Sequence, residues 1–319
     1  MDADSLITKL DSITEKYRGN RKERFFRYPF FVAANSIVGR LFNQLFNSRI
    51  VWKTKRTTFF GEPMYISIPP YQEILFCGAY ASHDPEVRLT KFLIRELEHG
   101  KHVFFDLGAH YGYYTLLAHA LMKNNDGQIV TFEPSTLVLP YLRKNVADKN
   151  SVMLVEKGVS DSDGSATFYE SDVQYSVIST LNPENLNEVT HLGDIKKSFT
   201  VETVTIDTFC AEHAIVPTVI KIDVEGAEEK ALIGARHTLT NHAPIVAMEV
   251  FLDPMTDVYK RAVALMQMYG YNMYAITPDG RTEPIAYENL VSYIDKLKST
   301  YAARGDDASI DNIIFKKGN

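Results

Sequence analysis

The chain has 319 residues, enough for one large α/β domain or two smaller ones. Hydrophobic residues make up 45% and charged residues 23% of the chain, a globular composition that excludes general disorder. The two cysteines, Cys77 and Cys210, are too few and too far apart for a disulfide scaffold or a cysteine-based zinc site.

The net charge of −6 is unevenly distributed along the chain. Residues 16–56 carry 11 basic residues and one acidic residue, whereas the remainder is acidic. An acidic body excludes a sequence-reading nucleic-acid binder, which needs a basic face to neutralise phosphates. The acidic start lacks the basic region of a secretory signal, and no apolar run reaches the ~18 residues of a membrane span. We therefore expect a cytoplasmic protein.

The first predicted unit spans residues 1–79 and is helical over residues 1–56, then extended. An apolar stripe at helical spacing runs from Phe30 to Leu45, beside basic and aromatic residues. We favour packing of this helix against the catalytic domain. Alternatively, residues 16–56 lie peripherally on the inner membrane surface, or their charge attracts a polyanionic acceptor.

The second predicted unit, residues 80–319, alternates between two patterns. A helix is predicted over residues 82–98, because Ser82, Asp84 and Pro85 are typical of a helix start. Apolar runs typical of strands then follow at 102–107, 128–133, 151–157, 218–223, 245–250, 271–276 and 312–315. Helical stretches between them lie at 113–123, 137–148, 227–239 and 256–269.

This alternation predicts an α/β fold with a largely parallel sheet covered by helices on both faces. Residues 171–198 interrupt the alternation with a polar stretch, which we interpret as a lid or insertion beside the site. Another strand is predicted from Phe199 to Ile206.

A strand–loop–helix segment at residues 103–115 carries the most informative pattern. Asp106 lies near the end of the strand, and Gly108 and Gly112 permit a tight turn and close approach of a ligand to the backbone. The dinucleotide fingerprint would require a glycine where His110 stands. Asp106 would repel a pyrophosphate and favours a ligand that carries an amine or another positive charge.

A second acid, Glu133, ends the next strand, where a carboxylate accepts hydrogen bonds from ribose hydroxyls. Glycine turns of this kind occur in many α/β proteins, so the combination with Asp106 and Glu133 is the informative feature. Together they indicate a ligand with a ribose and positive charge but no pyrophosphate. S-adenosylmethionine meets these requirements.

Four blocks of sequence resemble the FkbM family of S-adenosylmethionine-dependent methyltransferases in order and spacing. They are FDLGAHYGYYT at 105–115, FEPS at 132–135, VSDSDG at 159–164 and IKIDVEGAE at 220–228. The similarity continues through PIVAME at 244–249, and a match of several blocks is far more specific than a single motif.

The resemblance implies a Rossmann-like class I fold whose seven-stranded, mostly parallel sheet ends in an antiparallel strand. It also implies O-methyl transfer to hydroxyls of polyketides or sugars. By position, the cofactor-binding residues would be Asp106, Gly108 and Gly112 at the methionine end, Glu133 at the ribose, Ser160 and Asp161 near the adenine, and also His110, Thr115, Ser135 and Asp223. The family usually has asparagine where this chain has His110. Residues 160–164 also have the composition of a plain turn into a hairpin, which is compatible with this role.

Methyl transfer to an alcohol requires alignment of the reactants and a group that takes the hydroxyl proton. Asp223 and Glu225 follow a strand at the edge that carries the glycine loop, and Glu249 ends a further strand. Asp223 is our first choice of base, with Glu225 and His110 as the other catalytic candidates. Three carboxylates could also bind a divalent cation, but we favour no metal because their spacing is not distinctive. Alternatively, Asp223 caps the following helix.

The sequence thus predicts an O-methyltransferase with a small-molecule, glycan or glycolipid acceptor. The alternatives are a nicotinamide-dependent oxidoreductase and a non-catalytic nucleoside-binding module. The absent dinucleotide fingerprint and the acid at Asp106 argue against the oxidoreductase.

Overall fold

A central sheet with helices on both faces forms the main body of the protein. The computed structural model describes residues 2–18, 52–68, 72–81, 84–170, 180–181, 197–251, 257–304 and 310–318. The helices are Ala3–Arg18 (α1), Gln72–Cys77 (α2), Asp84–Leu97 (α3), Tyr113–Met122 (α4), Leu139–Val146 (α5), Ile206–His213 (α6), Glu228–Gly234 (α7), Arg236–His242 (α8), Asp257–Met268 (α9) and Leu290–Arg304 (α10). The strands are Trp52–Thr57 (β1), Pro63–Ile68 (β2), Val103–Leu107 (β3), Gln128–Phe132 (β4), Val152–Val155 (β5), Gly158–Val159 (β6), Gly164–Glu170 (β7), Lys197–Val204 (β8), Val219–Ile222 (β9), Ile245–Phe251 (β10), Tyr271–Ile276 (β11), Thr282–Ile285 (β12) and Ile310–Lys317 (β13).

The large sheet has the strand order β12-β11-β13-β10-β9-β3-β4-β5. Strands β10, β9, β3, β4 and β5 pair in parallel, while β13 is antiparallel to both β10 and β11. The predicted α/β fold class is confirmed, and all seven predicted strands of the alternation belong to this sheet. The sheet nevertheless has eight strands, because the short β12 pairs with β11 at the edge. Its four residues include Pro284, which an edge strand tolerates but which gives no strand signal in the sequence.

The two faces of the sheet bury separate apolar cores. Phe104 on β3 packs in the core under α1, α3 and α4, whereas Phe105 packs in the core under α6, α7 and α9. Successive strand residues point to opposite faces, so one apolar strand contributes to both cores. Within the described ranges, every helix is too short or too polar to cross a membrane.

The predicted helix over residues 227–239 is wrong as a single element. The chain forms α7 and α8, which meet at Ala235. The break follows Gly234, where a Cβ atom would lie 2.1 Å from the carbonyl oxygen of Ser160. The loop that contains Ser160 therefore lies against the chain at the point where α7 ends.

A small second sheet lies after β5, in the order β6-β8-β7. Strand β8 ends at Val204, two residues before the predicted end, because Thr205 caps helix α6 by accepting a hydrogen bond from the Thr208 amide at 3.1 Å. The turn expected at residues 160–164 leads into β7, which pairs antiparallel with β8, while β6 pairs with β8 in parallel. Most of the predicted lid, residues 171–198, lies outside the described residues.

The N-terminal unit contains more than helix. Helix α1 packs on α3. Strands β1 and β2 form an antiparallel hairpin, so the helix expected over residues 52–56 is wrong, while the extended run expected after residue 56 is present as β2. The first four residues of β1, WKTK, alternate an aromatic residue or threonine with lysine, which suits a strand with one exposed face. The apolar stripe from Phe30 to Leu45 lies outside the described residues.

Hydrogen bonds connect the hairpin to the glycine loop. The buried side chain of Asn145 on α5 accepts from the Tyr65 amide at 2.6 Å and donates to the Tyr65 carbonyl at 3.0 Å. It also donates to the Tyr111 carbonyl at 2.8 Å, and the hydroxyls of Ser67 and Tyr111 share a hydrogen bond. Strand β2 is therefore fixed against the loop that follows β3.

Candidate functional site

The glycine loop after β3 has a backbone that tolerates no side chain at its first glycine. Gly108 has a φ of +76° and Gly112 a φ of +84°. A Cβ atom on Gly108 would lie 1.8 Å from the carbonyl oxygen of Asp223, so the loop crosses directly over the end of β9. Even His110 has a positive φ, +53°. The glycines are thus required by backbone geometry, as the sequence pattern indicates.

Asp106 lies buried under this loop, with 1% of its surface exposed. Its Oδ2 accepts a hydrogen bond from the Thr115 hydroxyl at 2.6 Å, which joins β3 to the first turn of α4. Its Oδ1 is also buried but accepts no hydrogen bond from any described residue. A buried carboxylate oxygen without a donor is costly unless a ligand supplies one.

Lys221 on β9 links this carboxylate to the acidic residues beyond the strand. Its Nζ lies 3.5 Å from Oδ1 of Asp106 and 3.0 Å from Oδ2 of Asp223, and it donates to the Gly108 carbonyl at 3.0 Å. Burial alone would lower the pKa of Lys221, but the carboxylates of Asp223 and Asp106 outweigh it and raise the pKa above its ordinary value. Lys221 is therefore a fixed cation, and it was not among the site residues predicted from the sequence.

Glu133 follows β4 and faces the same loop. Its Oε2 accepts from the His110 amide at 2.8 Å and its Oε1 accepts from the Ser135 amide at 2.8 Å. Burial raises the pKa of Glu133 to about 7, although both amide hydrogen bonds and Lys221 act to lower it. Each oxygen keeps a further lone pair that a ligand hydroxyl could use.

Glu170, at the end of β7, is a second residue that sequence reasoning missed. Its buried carboxylate accepts from the Ser135 hydroxyl at 2.6 Å and from the Leu137 amide at 3.2 Å. The Ser135 hydroxyl, predicted to bind the cofactor, thus donates within the protein. No local signal marks this pair, because 35 residues separate its members in the chain.

The two predicted adenine residues lie in the loop after β6. The Ser160 hydroxyl donates to Asp161 at 3.1 Å, and the Asp161 side chain is exposed. Nearby, Asp163 accepts from the Thr205 amide at 2.7 Å and the Thr208 hydroxyl at 2.6 Å, which holds the start of α6. The turn has a clear structural role, and adenine binding by Ser160 and Asp161 stays a prediction.

Three carboxylates converge where β9 and β10 end. Asp223, Glu225 and Glu249 each offer an oxygen, and these oxygens all lie within 4.8 Å of one another. Burial, and then the charge of Asp223, raise the pKa of both Glu225 and Glu249 well above the ordinary range. Glu86 on α3 adds further negative charge to this carboxylate cluster, as we call Asp223, Glu225 and Glu249. The predicted convergence of Glu249 is therefore observed.

The alternative that Asp223 caps the next helix is wrong. The N-cap position of α7 is Ala227, and no side chain accepts a capping hydrogen bond there. Instead Glu228, in the first turn, accepts from the Val224 amide at 3.1 Å. The Asp223 carboxylate is thus available to the site, with 27% of the side chain exposed.

His110 contributes to the site through its backbone amide, which donates to Glu133. Its ring packs edge-on against the ring of Tyr111, with 4.7 Å between the centroids. Beside the carboxylate cluster, the hydroxyl of Tyr114 donates to Glu86, and Tyr80 and Tyr113 pack against each other at 4.6 Å. A role of the His110 side chain as a base stays a prediction.

Comparison with known proteins identifies the domain. The sequence profile described as "Methyltransferase FkbM domain" matches residues 106–273, just over half of the chain. No functionally curated protein matches the sequence.

The fold is similar to several solved methyltransferase structures. Methyltransferase FkbM from Methylobacillus flagellatus is 17% identical with a TM-score of 0.40, and the match covers 67% of this chain and 43% of that one. A SAM-dependent O-methyltransferase from Thermotoga maritima is 13% identical with a TM-score of 0.39, and the match covers 87% of this chain and 82% of that one. Aeropyrum pernix fibrillarin, solved with natively bound S-adenosyl-L-methionine, is 12% identical with a TM-score of 0.36. The match covers 69% of this chain and 67% of that one.

The chain therefore spans less than half the length of the Methylobacillus protein. The family assignment depends instead on the profile match, which includes the glycine loop, Glu133 and the carboxylate cluster. By that match, the protein belongs to the FkbM family of methyltransferases.

Proposed function

We propose that the protein transfers a methyl group from S-adenosylmethionine to a hydroxyl oxygen of a sugar, glycan or other small molecule. The observation that carries this proposal is the position of Lys221, which lies 3.5 Å from Asp106 and 3.0 Å from Asp223. One cation thus joins the buried acid of the glycine loop to the carboxylate cluster. Two sites, one for a cationic nucleoside and one for an acceptor, would adjoin at Asp223.

The residues around the glycine loop fit the cofactor. The oxygen of Asp106 that lacks a donor suits an α-amino group, which is positively charged and carries three donors. Glu133 suits the ribose hydroxyls. Gly108 and Gly112 adopt the positive φ values that shape the loop, and the loop backbone would lie beside the methionine end.

When bound, S-adenosylmethionine supplies a methyl group already activated by the sulfonium. The protein then has to align the acceptor oxygen and provide for the hydroxyl proton. The carboxylate cluster is the acceptor-side group with the chemistry to receive that proton, and Lys221 keeps Asp223 in a fixed position. We retain Asp223, Glu225 and His110 as catalytic candidates, with the cluster as a whole ahead of His110.

A group of exposed cations favours an acceptor that carries negative charge. Lys55 and Lys144 lie over the ring of Tyr65 at 5.1 and 5.7 Å, and Lys53 lies 5.8 Å from the ring centre of Tyr141. Among the described residues, none of these three lysines forms an ion pair with an acid. A phosphorylated sugar or an anionic glycolipid at the inner membrane surface would suit them.

Transfer of labelled methyl from S-adenosylmethionine to a panel of neutral sugars, phosphorylated sugars, glycolipids and polyketides tests the function. We expect label on a hydroxyl of one class, and loss of transfer in Asp106→Asn. Asp257→Asn, which changes an exposed acid on α9, is the control and should transfer normally. A wild-type protein that binds no S-adenosylhomocysteine and labels no acceptor would contradict the proposal.

Cofactor affinity should depend on pH through Glu133. The carboxyl has a pKa of about 7 and must be ionised to accept from both ribose hydroxyls. Lowering the pH from 8 to 6 reduces the ionised fraction about tenfold, so we expect about tenfold weaker binding of S-adenosylhomocysteine by calorimetry. Glu133→Gln should bind weakly at both pH values. An equal pH dependence in that variant would show that another group is responsible.

A further inference from the structure

Three acidic side chains of the carboxylate cluster lie close together, and Glu86 adds further negative charge. The oxygens of Asp223, Glu225 and Glu249 lie within 4.8 Å of one another, and Glu249 is 6% exposed. The ammonium group of Lys221 lies 3.0 Å from Asp223 and is shared with Asp106 at 3.5 Å. Like charges held this close at a buried site are unfavourable unless a proton or a cation lies between them.

An independent feature beside the cluster is the side chain of Asn312. Asn312 on β13 stands directly opposite Glu249 on β10 in the antiparallel register, so both side chains project from the same face of the sheet. Asn312 is 2% exposed, and its amide nitrogen finds no hydrogen-bond partner among the described residues. A buried, unpaired amide beside a carboxylate group indicates a polar ligand between them.

We propose that a hard divalent cation, Mg²⁺ or Mn²⁺, binds between Asp223, Glu225 and Glu249. Asp223, Glu225 and Glu249 would each supply a carboxylate oxygen, and an oxygen-only ligand set selects hard cations over zinc or copper. Three carboxylates leave positions in an octahedral shell for water or another oxygen ligand. Asn312 is placed to bind one of those ligands. This differs from the expectation of no metal, which was based on spacing in the sequence alone.

The role of the cation depends on the proposed function. If the acceptor is a hydroxyl compound, a cation at this edge of the sheet would hold its oxygen next to Asp223 and so next to the cofactor side of the site. Binding of the cation does not depend on its role in the reaction. Cation binding and cofactor binding can therefore be measured separately.

Titration of the full-length protein with Mn²⁺, followed by electron paramagnetic resonance of free Mn²⁺, tests the site directly. We expect one bound Mn²⁺ per chain, displaced by excess Mg²⁺. Glu249→Gln should weaken Mn²⁺ binding at least tenfold. Glu229→Gln is the matched control, because Glu229 pairs with Arg261 at 2.7 Å outside the cluster, and it should bind like the wild type.

Thermal unfolding shows whether the variant is folded. Glu249→Gln removes repulsion between carboxylates, so it should be at least as stable as the wild type without metal, and Mn²⁺ should raise the unfolding temperature of the wild type alone. Equal Mn²⁺ binding by Glu249→Gln and the wild type, or no binding at millimolar Mn²⁺, would overturn the site. Calorimetry with S-adenosylhomocysteine and a chelator reports on the proposed cofactor site independently, so failure of one proposal is distinguishable from failure of the other.

Discussion

Gly108→Ala is expected to abolish cofactor binding and to destabilise the protein by more than about 4 kcal/mol. The new methyl group would lie 1.8 Å from the carbonyl oxygen of Asp223, which is backbone and has no free rotation. Either the glycine loop or the end of β9 must move. Both proposed parts of the site would be displaced, because the loop holds the cofactor side and Asp223 belongs to the carboxylate cluster.

Gly270→Ala separates this clash from simple backbone strain. Gly270 has a φ of +83°, close to the +76° of Gly108, but a Cβ atom added to it would meet no atom within 4 Å. It should cost only the strain of a left-handed residue, about 1–2 kcal/mol. Denaturant unfolding and calorimetry with S-adenosylhomocysteine measure the two effects. Similar losses in both variants would mean that the crossing of the loop over Asp223 is not what demands a glycine.

Lys221→Met should have the second large effect, a loss of about 3–5 kcal/mol of stability together with loss of methyl transfer. Lys221 is 3% exposed and lies within ion-pair distance of two carboxylates. Removing the ammonium leaves Asp106 buried with an uncompensated charge. It also removes the donor to the Gly108 carbonyl, so the glycine loop loses support.

Two further variants make the Lys221 experiment specific. Lys260→Met removes an ion pair of the same 3.0 Å length, but one in which both side chains are mostly exposed, and it should change stability by less than about 1 kcal/mol. Adding Asp106→Asn to Lys221→Met should recover part of the lost stability. The second substitution removes the buried carboxylate charge that Lys221 no longer compensates. Denaturant unfolding at pH 8 measures all three. A double variant less stable than Lys221→Met would contradict the charge explanation.

Seven of the eight strands of the large sheet could be predicted because buried strands have continuous apolar runs. Asp106 and Glu133 could be selected because each stands at the end of such a run, and parallel strands end at one edge. The convergence of Glu249 with Asp223 follows from the same reasoning. Each of these predictions combines a local signal, an apolar run that ends in an acid, with the rule that parallel strands end at one edge of the sheet.

The missed residues share a different property: their partners are remote in the chain. Glu170 acts on the loop after β4 through a strand of the small sheet, and Asn312 faces Glu249 because β13 enters the large sheet antiparallel. Strand β1 was missed because its basic residues suggested an amphipathic helix, whereas the extended run of β2 was expected. Each of these depends on which strands pair, which local periodicity does not specify.

The hydrogen bonds of Asn145 have a consequence for exchange of domains between relatives. The matched family domain begins at residue 106, yet the loop residue Tyr111 is held by Ser67 and Asn145, and Asn145 itself is satisfied by Tyr65. A chimera that joined this catalytic half to a foreign N-terminal segment would remove the Tyr65 backbone groups that bind Asn145 and the Ser67 hydroxyl that binds Tyr111. The segment before the family domain therefore helps to hold the glycine loop in its conformation.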